Sequence, residues 1–205
     1  MLHSQQTGNT PSARHQVLVI GESPAVGVGV HTEGQSLTAQ IAYALSEQSG
    51  ETWNWQVVGE NGATLSRLIE LLDVGIDTKP DCTVIVTGVN DCTGLTSRKR
   101  WRDQLSCLIN RLQKTSNAPI VFTPVPPVHS FTALPQPLRW VIGQRAKQLN
   151  QDIRSTTQSL AGVHCADVLP SLTAEQLASD RFHPSPSACA EWGRRTATVI
   201  QSLLS

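Results

Sequence analysis

The sequence has little charge, few aromatic side chains and no long apolar run. Asp, Glu, Lys and Arg make up 16% of its 205 residues, and the acidic and basic residues balance at a formal net charge of zero. This balance argues against bulk electrostatic binding to nucleic acid or to an anionic membrane. No apolar run approaches the ~20 residues that would span a bilayer. We therefore expect neither a nucleic acid partner nor a membrane span.

The sequence also lacks the cysteine spacings that mark zinc sites and disulfide frameworks. Its five cysteines are odd in number and widely spread, and no pair has C-x-x-C spacing: they stand at positions 82, 92, 107, 165 and 189. This pattern favours reduced thiols in a cytosolic protein. Residues 1–15 have no apolar core, so they do not form a signal peptide and we expect a cytoplasmic location. Their Gln, Thr, Ser, Asn and Pro content predicts a disordered tail.

Short apolar runs alternate with helical patterns along the rest of the chain. The runs predict five strands, at 17–21, 55–58, 82–87, 119–123 and 163–168. Apolar residues at helical spacing predict helices at 36–48, 65–72, about 101–112, 138–160 and 186–204. Parallel strands need such crossovers, which are almost always right-handed. We predict a single domain over residues 16–205, a three-layer α/β/α sandwich with about five parallel strands, doubly wound.

The first predicted strand leads directly into a serine. Four aliphatic residues precede Gly21, Glu22 and Ser23, and a glycine-containing loop follows. Ligands of open parallel sheets bind outside the carboxyl ends of the strands. Ser23 therefore stands where a reacting serine is expected, and we take it as the candidate nucleophile.

A base and an orienting carboxylate occur together near the end of the chain. Serine is a weak nucleophile at neutral pH unless a base is adjacent. His183 can be that base, and Asp180, three residues earlier, can fix its tautomer and stabilise the imidazolium. Pro184 restrains His183 away from helical backbone angles. Asp180 and His183 complete a candidate catalytic triad with Ser23.

Two further loops offer donors for an oxyanion. Gly62 follows the second strand and Asn90 follows the third, so both lie at the same sheet edge as Ser23. The backbone N–H groups of Ser23 and Gly62 and the side-chain amide of Asn90 form the candidate oxyanion hole. Gly59 is a rival for the Gly62 role. We expect Asp91 to hold its loop by local hydrogen bonds.

These four loops resemble the four sequence blocks of the GDSL (SGNH) hydrolases. The matching segments, in order along the chain, are 21–29, 61–64, 88–91 and 180–184. Segments 131–139 and 143–146 are also similar to bacterial GDSL-type esterases. The resemblance implies a flavodoxin-like fold and serine esterase or lipase activity without a cofactor or metal. Glu22 departs from the family pattern, which has aspartate at this position.

The same residues leave several alternatives open. A thioesterase or a carbohydrate O-deacetylase would use the same triad, and a non-catalytic α/β binding module could keep the same pocket. The Gly27-Val28-Gly29 loop lacks the spacing of a dinucleotide-binding motif. Cys92 fits an inert buried thiol better than a nucleophile.

The proline-rich loop and two tryptophans also have two interpretations each. Val128, Phe131 and Leu134 either line an acyl pocket or only pack their loop onto the sheet. Trp101 and Trp192 fall on the apolar faces of predicted helices, which favours packing roles. A small-molecule ester is the expected substrate.

Overall fold

A six-stranded sheet forms the centre of the computed structural model, which describes residues 4–8, 14–74, 76, 79–167 and 172–204. The strand order is β1-β3-β2-β4-β5-β6. The last five of these run parallel, and β1 pairs antiparallel with β3 at one edge. The strands are β1 (Ser4–Gly8), β2 (His15–Gly21), β3 (Trp53–Gly59), β4 (Cys82–Val86), β5 (Ile120–Thr123) and β6 (Val163–Cys165).

Helices connect the parallel strands and cover both faces of the sheet. They are α1 (Leu37–Ser49), α2 (Leu65–Leu71), α3 (Val89–Thr93), α4 (Arg98–Thr115), α5 (Leu138–Ser159) and α6 (Pro186–Leu204). Local sequence sets several of their ends. The Ser36 hydroxyl accepts the N–H of Ala39 at 3.2 Å and so caps α1. Among the described residues, no helix is both long and apolar enough to cross a bilayer.

Two apolar cores lie on opposite faces of the sheet. In β2, Leu18 and Ile20 face the core formed with α2, α4 and α5. Val17 and Val19 face the core formed with α1 and α6. Alternate residues of a strand point to opposite faces, so a continuous apolar run is what a doubly covered strand requires.

The strand order brings the candidate site together. The first parallel strand, β2, lies between β3 on one side and β4 on the other. This is the flavodoxin-like order, and its switch point is where such sheets bind ligands. The segments that follow β2, β3 and β4 therefore meet at one edge. They carry Ser23 and Gly62 in loops and Asn90 in α3.

The predicted three-layer sandwich with five parallel strands is confirmed, with differences at the edges. The disordered-tail prediction is wrong for Ser4–Gly8, which forms β1, and for His15, which begins β2. Residues 1–3 and 9–13 of that tail lie outside the described residues. Segment 4–8 has no apolar pattern, so its strand depends on the edge of β3 to pair with. The predicted strand 163–168 ends at Cys165, and residue 168 lies outside the described residues.

Candidate active site

Ser23 lies in the first turn after β2, on the wall of a small cleft. The N–H of Glu22 donates to the Val86 carbonyl of β4 at 3.0 Å, and the N–H of Val28 donates to the Ser23 carbonyl at 3.0 Å. The first bond joins the turn to β4, and the second lies within the loop and stabilises its conformation. Ser23 is only 7% exposed. His183 lines the same cleft.

The structure pairs His183 with Asp180. The imidazole Nδ1 lies 2.6 Å from Asp180 Oδ2, and the Asp180 Oδ1 accepts the backbone N–H groups of Phe182 and His183, each at 2.9 Å. Burial acts to raise the pKa of Asp180, but these hydrogen bonds outweigh it and hold that pKa below its usual value. With Nδ1 engaged, Nε2 is the ring nitrogen left for a substrate proton.

The loop that carries His183 is fastened at several points. An isolated bridge joins Leu177 to Pro184, and the N–H of Ala178 donates to the His183 carbonyl at 2.8 Å. The ring of Phe182 packs edge-on against both Phe131 and His183, with 5.2 Å between centroids in each pair. These contacts set the imidazole in place although its loop is largely exposed.

Gly29 brings the nucleophile loop against the base. Its φ is +94°, and a Cβ built there would lie 2.7 Å from the Cβ of His183. No side chain fits at that distance, and L residues rarely adopt that backbone angle. Glycine at this position therefore lets the loop after β2 lie directly on His183.

Glu22 is a site residue whose role sequence reasoning did not find. Its carboxylate is 2% exposed and accepts three N–H groups of α3. Oε1 accepts the backbone N–H of Val89 at 3.0 Å; Oε2 accepts the backbone N–H of Asn90 at 3.2 Å and the Asn90 amide Nδ2 at 2.7 Å. Burial raises the pKa of Glu22 to about 7, and the charge of Asp91 acts in the same direction.

Asn90 links the three loops that carry the candidate oxyanion donors. Besides its bond to Glu22, its Nδ2 donates to the Ala63 carbonyl at 3.1 Å. Ala63 follows Gly62, and Glu22 precedes Ser23. Both amide hydrogens of Asn90 are thus engaged within the protein. Its side chain bonds to Glu22 and Ala63, which adjoin the candidate donors Ser23 and Gly62.

The backbone donors, Gly59 and Asp91 are the other residues that the sequence singled out in these loops. No backbone carbonyl among the described residues accepts the N–H of Ser23 or Gly62. Gly59, the rival donor, ends β3, where a Cβ would lie 2.1 Å from the Gly21 carbonyl oxygen; it serves close strand packing. The local hydrogen bond predicted for Asp91 is confirmed by the Thr96 hydroxyl, which donates to its carboxylate at 2.7 Å. The same carboxylate also accepts the N–H of Leu65 at 2.8 Å, a bond to the distant start of α2 that was not predicted.

The other side chains singled out from the sequence fall on the cleft wall or in the core. Phe131 and Trp192 line the cleft, whereas Val128 and Trp101 are buried in the core on the α4 and α5 face. Cys92 is fully buried, and burial raises its thiol pKa to about 12, so it is not a nucleophile at neutral pH. Within the described residues, no three His, Cys, Asp or Glu side chains are arranged to hold a metal ion.

Apart from Glu22, Ser23 and His183, the residues that line the cleft are apolar. The cavity volume is about 20 Å³. Ser23 and His183 share its wall, and among the described residues no hydrogen bond joins their side chains. The apolar lining comes from the segments after β2, β5 and β6 and from α3 and α6: Pro24, Val89, Pro126, Phe131, Leu172, Phe182, Pro184 and Trp192.

The chain is similar to known proteins in sequence and in fold. A GDSL-like esterase of Mycobacterium tuberculosis is 28% identical over 182 residues, which cover 85% of this chain and 58% of that protein. The chain thus spans less than two thirds of the length of this curated relative.

Solved structures show the same fold at low sequence identity. A variant of an acetyl xylan esterase from Geobacillus stearothermophilus has a TM-score of 0.66 at 20% identity, over 92% of this chain and 95% of that one. A lipase from a goat rumen metagenome has a TM-score of 0.72 at 14% identity, over 91% and 97%. Residues 19–190 match the model of the GDSL-like lipase/acylhydrolase family. With that match over most of its length, the chain belongs to the GDSL-like lipase/acylhydrolase family.

Proposed function

We propose that the protein hydrolyses carboxylic esters through an acyl-serine intermediate. The observation that carries this proposal is the 2.6 Å pair of His183 Nδ1 and Asp180 Oδ2 on the cleft that Ser23 lines. A buried serine, an oriented imidazole and an apolar cleft at a sheet edge are the parts that acyl transfer needs. Family membership supports the same reaction class.

Each triad residue has one task in this mechanism. Ser23 Oγ attacks the ester carbonyl carbon, and His183 Nε2 accepts the hydroxyl proton. Protonated His183 then gives that proton to the leaving alcohol oxygen, while Asp180 stabilises the imidazolium. Water, deprotonated by the same nitrogen, attacks the acyl group, releases the acid and restores Ser23.

The oxyanion takes its hydrogen bonds from three loops. The N–H groups of Ser23 and Gly62 supply two donors, and Asn90 supplies the third. Of the two bonds that Asn90 Nδ2 makes, the 3.1 Å bond to the neutral Ala63 carbonyl is weaker than the 2.7 Å bond to Glu22. The N–H directed at Ala63 is therefore the one that shares its hydrogen with the oxyanion, as a three-centre bond.

The cleft favours a short acyl chain on a small-molecule ester. Its lining is apolar and its cavity volume is about 20 Å³, far below that of most ligand pockets. Phe131 and Phe182 close one side of it. The five cysteines are free thiols, which supports a cytoplasmic site of action.

The first experiment measures hydrolysis of p-nitrophenyl esters from acetate to decanoate by the wild type and by Ser23→Ala. We expect the wild type to prefer the shortest chains and the variant to lose the activity. Ser202→Ala is the matched control, since Ser202 lies on α6 and its hydroxyl bonds within the helix to the Val199 carbonyl. Full activity in folded Ser23→Ala would contradict the proposal.

A second measurement separates the enzyme from a non-catalytic binding module. A serine-directed organophosphonate should add its mass to the peptide that contains Ser23 and should not label Ser23→Ala. A protein that is neither labelled nor active on any ester would be a binding module. Labelling together with activity confined to thioesters or to sugar acetates would make it a thioesterase or a carbohydrate O-deacetylase.

A further inference from the structure

Glu22 connects the nucleophile loop to the start of α3, which carries Asn90. It directly precedes Ser23, its carboxylate is buried, and all three of its hydrogen bonds come from the first two residues of α3. The partners are N–H groups, and two of them belong to Asn90. The Glu22 carboxylate, with the Ala63 carbonyl as the second acceptor, therefore sets the position of the Asn90 amide, and Glu22 ties it directly to the residue before Ser23.

We propose that Glu22 is a positioning residue that holds the Asn90 amide for the oxyanion, and that the reaction requires Glu22 in its ionised form. This inference rests on the proposed ester hydrolysis. It adds a residue whose carboxylate makes its three hydrogen bonds to α3 and acts through Asn90.

The partners of Glu22 explain why the ionised form is required. A carboxylate accepts all three N–H groups, whereas a carboxylic acid carries a hydroxyl hydrogen that faces the same donors. Protonation would therefore weaken the bond that aligns Asn90. The substitution E22Q would present an NH₂ group to these N–H donors and would produce the same mismatch permanently.

The surroundings place this ionisation within the working pH range. Asp91 on α3 contributes a second negative charge near Glu22, and the Cys92 thiol stays neutral because burial raises its pKa to about 12. His183, on the last loop, lines the same cleft as Glu22. Burial raises the pKa of Glu22 to about 7, so its charge changes where an esterase of this kind would be assayed.

The kinetic test is the pH profile of kcat/KM for the wild type, E22Q and E22D. Because the reaction requires Glu22 in its deprotonated form, the acid limb of the wild type should contain one ionisation that E22Q lacks. E22Q should therefore show a shallower acid limb and a kcat lowered roughly 10- to 100-fold, with KM changed less than about threefold. E22D keeps a charge but is one methylene shorter, and should recover part of kcat and the steeper limb.

The matched control for loss of a buried carboxylate is Asp152→Asn. Asp152 on α5 is 4% exposed and bonds to Arg98 through both oxygens, at 2.6 and 3.0 Å. This variant should lose stability and keep the acid limb of the wild type. An acid limb of equal slope in the wild type and E22Q, or wild-type kcat in E22Q, would overturn the proposal.

A readout without substrate distinguishes this inference from the ester hydrolysis itself. In ¹⁵N spectra recorded across pH, the backbone N–H groups of Val89 and Asn90 and the Asn90 side-chain amide should share one titration that E22Q removes. If the protein is inactive but shows that shared titration, the proposed reaction is wrong and the role of Glu22 in holding Asn90 stands. Independent or absent titrations would overturn the positioning role whether or not the protein is active.

Discussion

The two halves of the candidate site are built differently. On the nucleophile side, Glu22 and Asn90 are joined across 68 positions of sequence by a buried carboxylate. On the base side, Asp180 and His183 are three residues apart, and the Asp180 side chain is 46% exposed. The first half depends on three strand ends meeting, whereas the second is a local turn fastened to the fold by a few contacts.

This difference predicts where each half is sensitive. The nucleophile half holds its donors through buried bonds in a low-dielectric setting, where losing one partner leaves another unsatisfied. The base half is reached by water, which can replace part of a lost hydrogen bond. Removing a polar group should therefore cost more near Asn90 than near Asp180.

Among variants that keep the triad intact, Asn90→Ala should produce the largest effect. The change removes one oxyanion donor and leaves a Glu22 oxygen and the Ala63 carbonyl short of a hydrogen bond. We expect kcat to fall by roughly 10²–10³ with a smaller change in KM. Steady-state kinetics on a short-chain ester check this, with circular dichroism to confirm the fold. Wild-type turnover in folded Asn90→Ala would remove this residue from the oxyanion hole.

The pH dependence of the free energy of unfolding should differ between the nucleophile half and the base half of the site. The pKa of Glu22 is raised from 4.5 to about 7, which at about 1.4 kcal/mol per pH unit is roughly 3 kcal/mol. Because the folded state binds this proton more tightly, that stability is present below pH 4.5 and is lost as pH rises through 7. Urea unfolding across pH should show this loss for the wild type relative to E22Q. Parallel curves would contradict it.

In the base half, the stability that Asp180 contributes should depend on pH in the opposite direction. The lowered pKa of Asp180 gives stability that is present at neutral pH and is lost as pH falls through that lowered value.

Asp180→Asn should also slow turnover by about 10², less than the roughly 10⁴ seen for a buried triad aspartate, because water reaches this carboxylate. Comparison of kcat for Asp180→Asn and His183→Ala measures the difference. Equal losses of kcat in the two variants would show that the exposure of Asp180 does not reduce its contribution to turnover.

Gly29→Ala should have the smallest effect and tests the contact between the halves. The added Cβ must displace His183 or the loop after β2, and we expect about a tenfold loss in kcat. Gly50→Ala is the matched control, since Gly50 also has a positive φ, +71°, but no atom within 4 Å of an added Cβ. Both variants should lose stability from backbone strain, and only Gly29→Ala should lose activity. An equal effect on kcat in both would rule out the contact as the cause.

The part of the site that could be read from sequence is the part that depends on local order. Asp180 and His183 pair because three residues of chain join them. Ser23 could be located because a buried strand ends just before it. The helices follow from apolar periodicity, as α5 over Leu138–Ser159 confirms. Glu22 gave no such signal, since a carboxylate next to a serine looks the same whether it is exposed or buried.

The sequence by itself determined the alternation of strands and helices, the sheet edge that carries the site, and the order of the four loops. Only the tertiary structure decided that Glu22 holds Asn90, that Phe131 lines the cleft while Val128 fills the core, and that Ser4–Gly8 pairs with β3. The physical reason is the range of the interactions. Periodicity and turns act over a few residues, whereas these contacts need partners that the sheet brings together from distant parts of the chain.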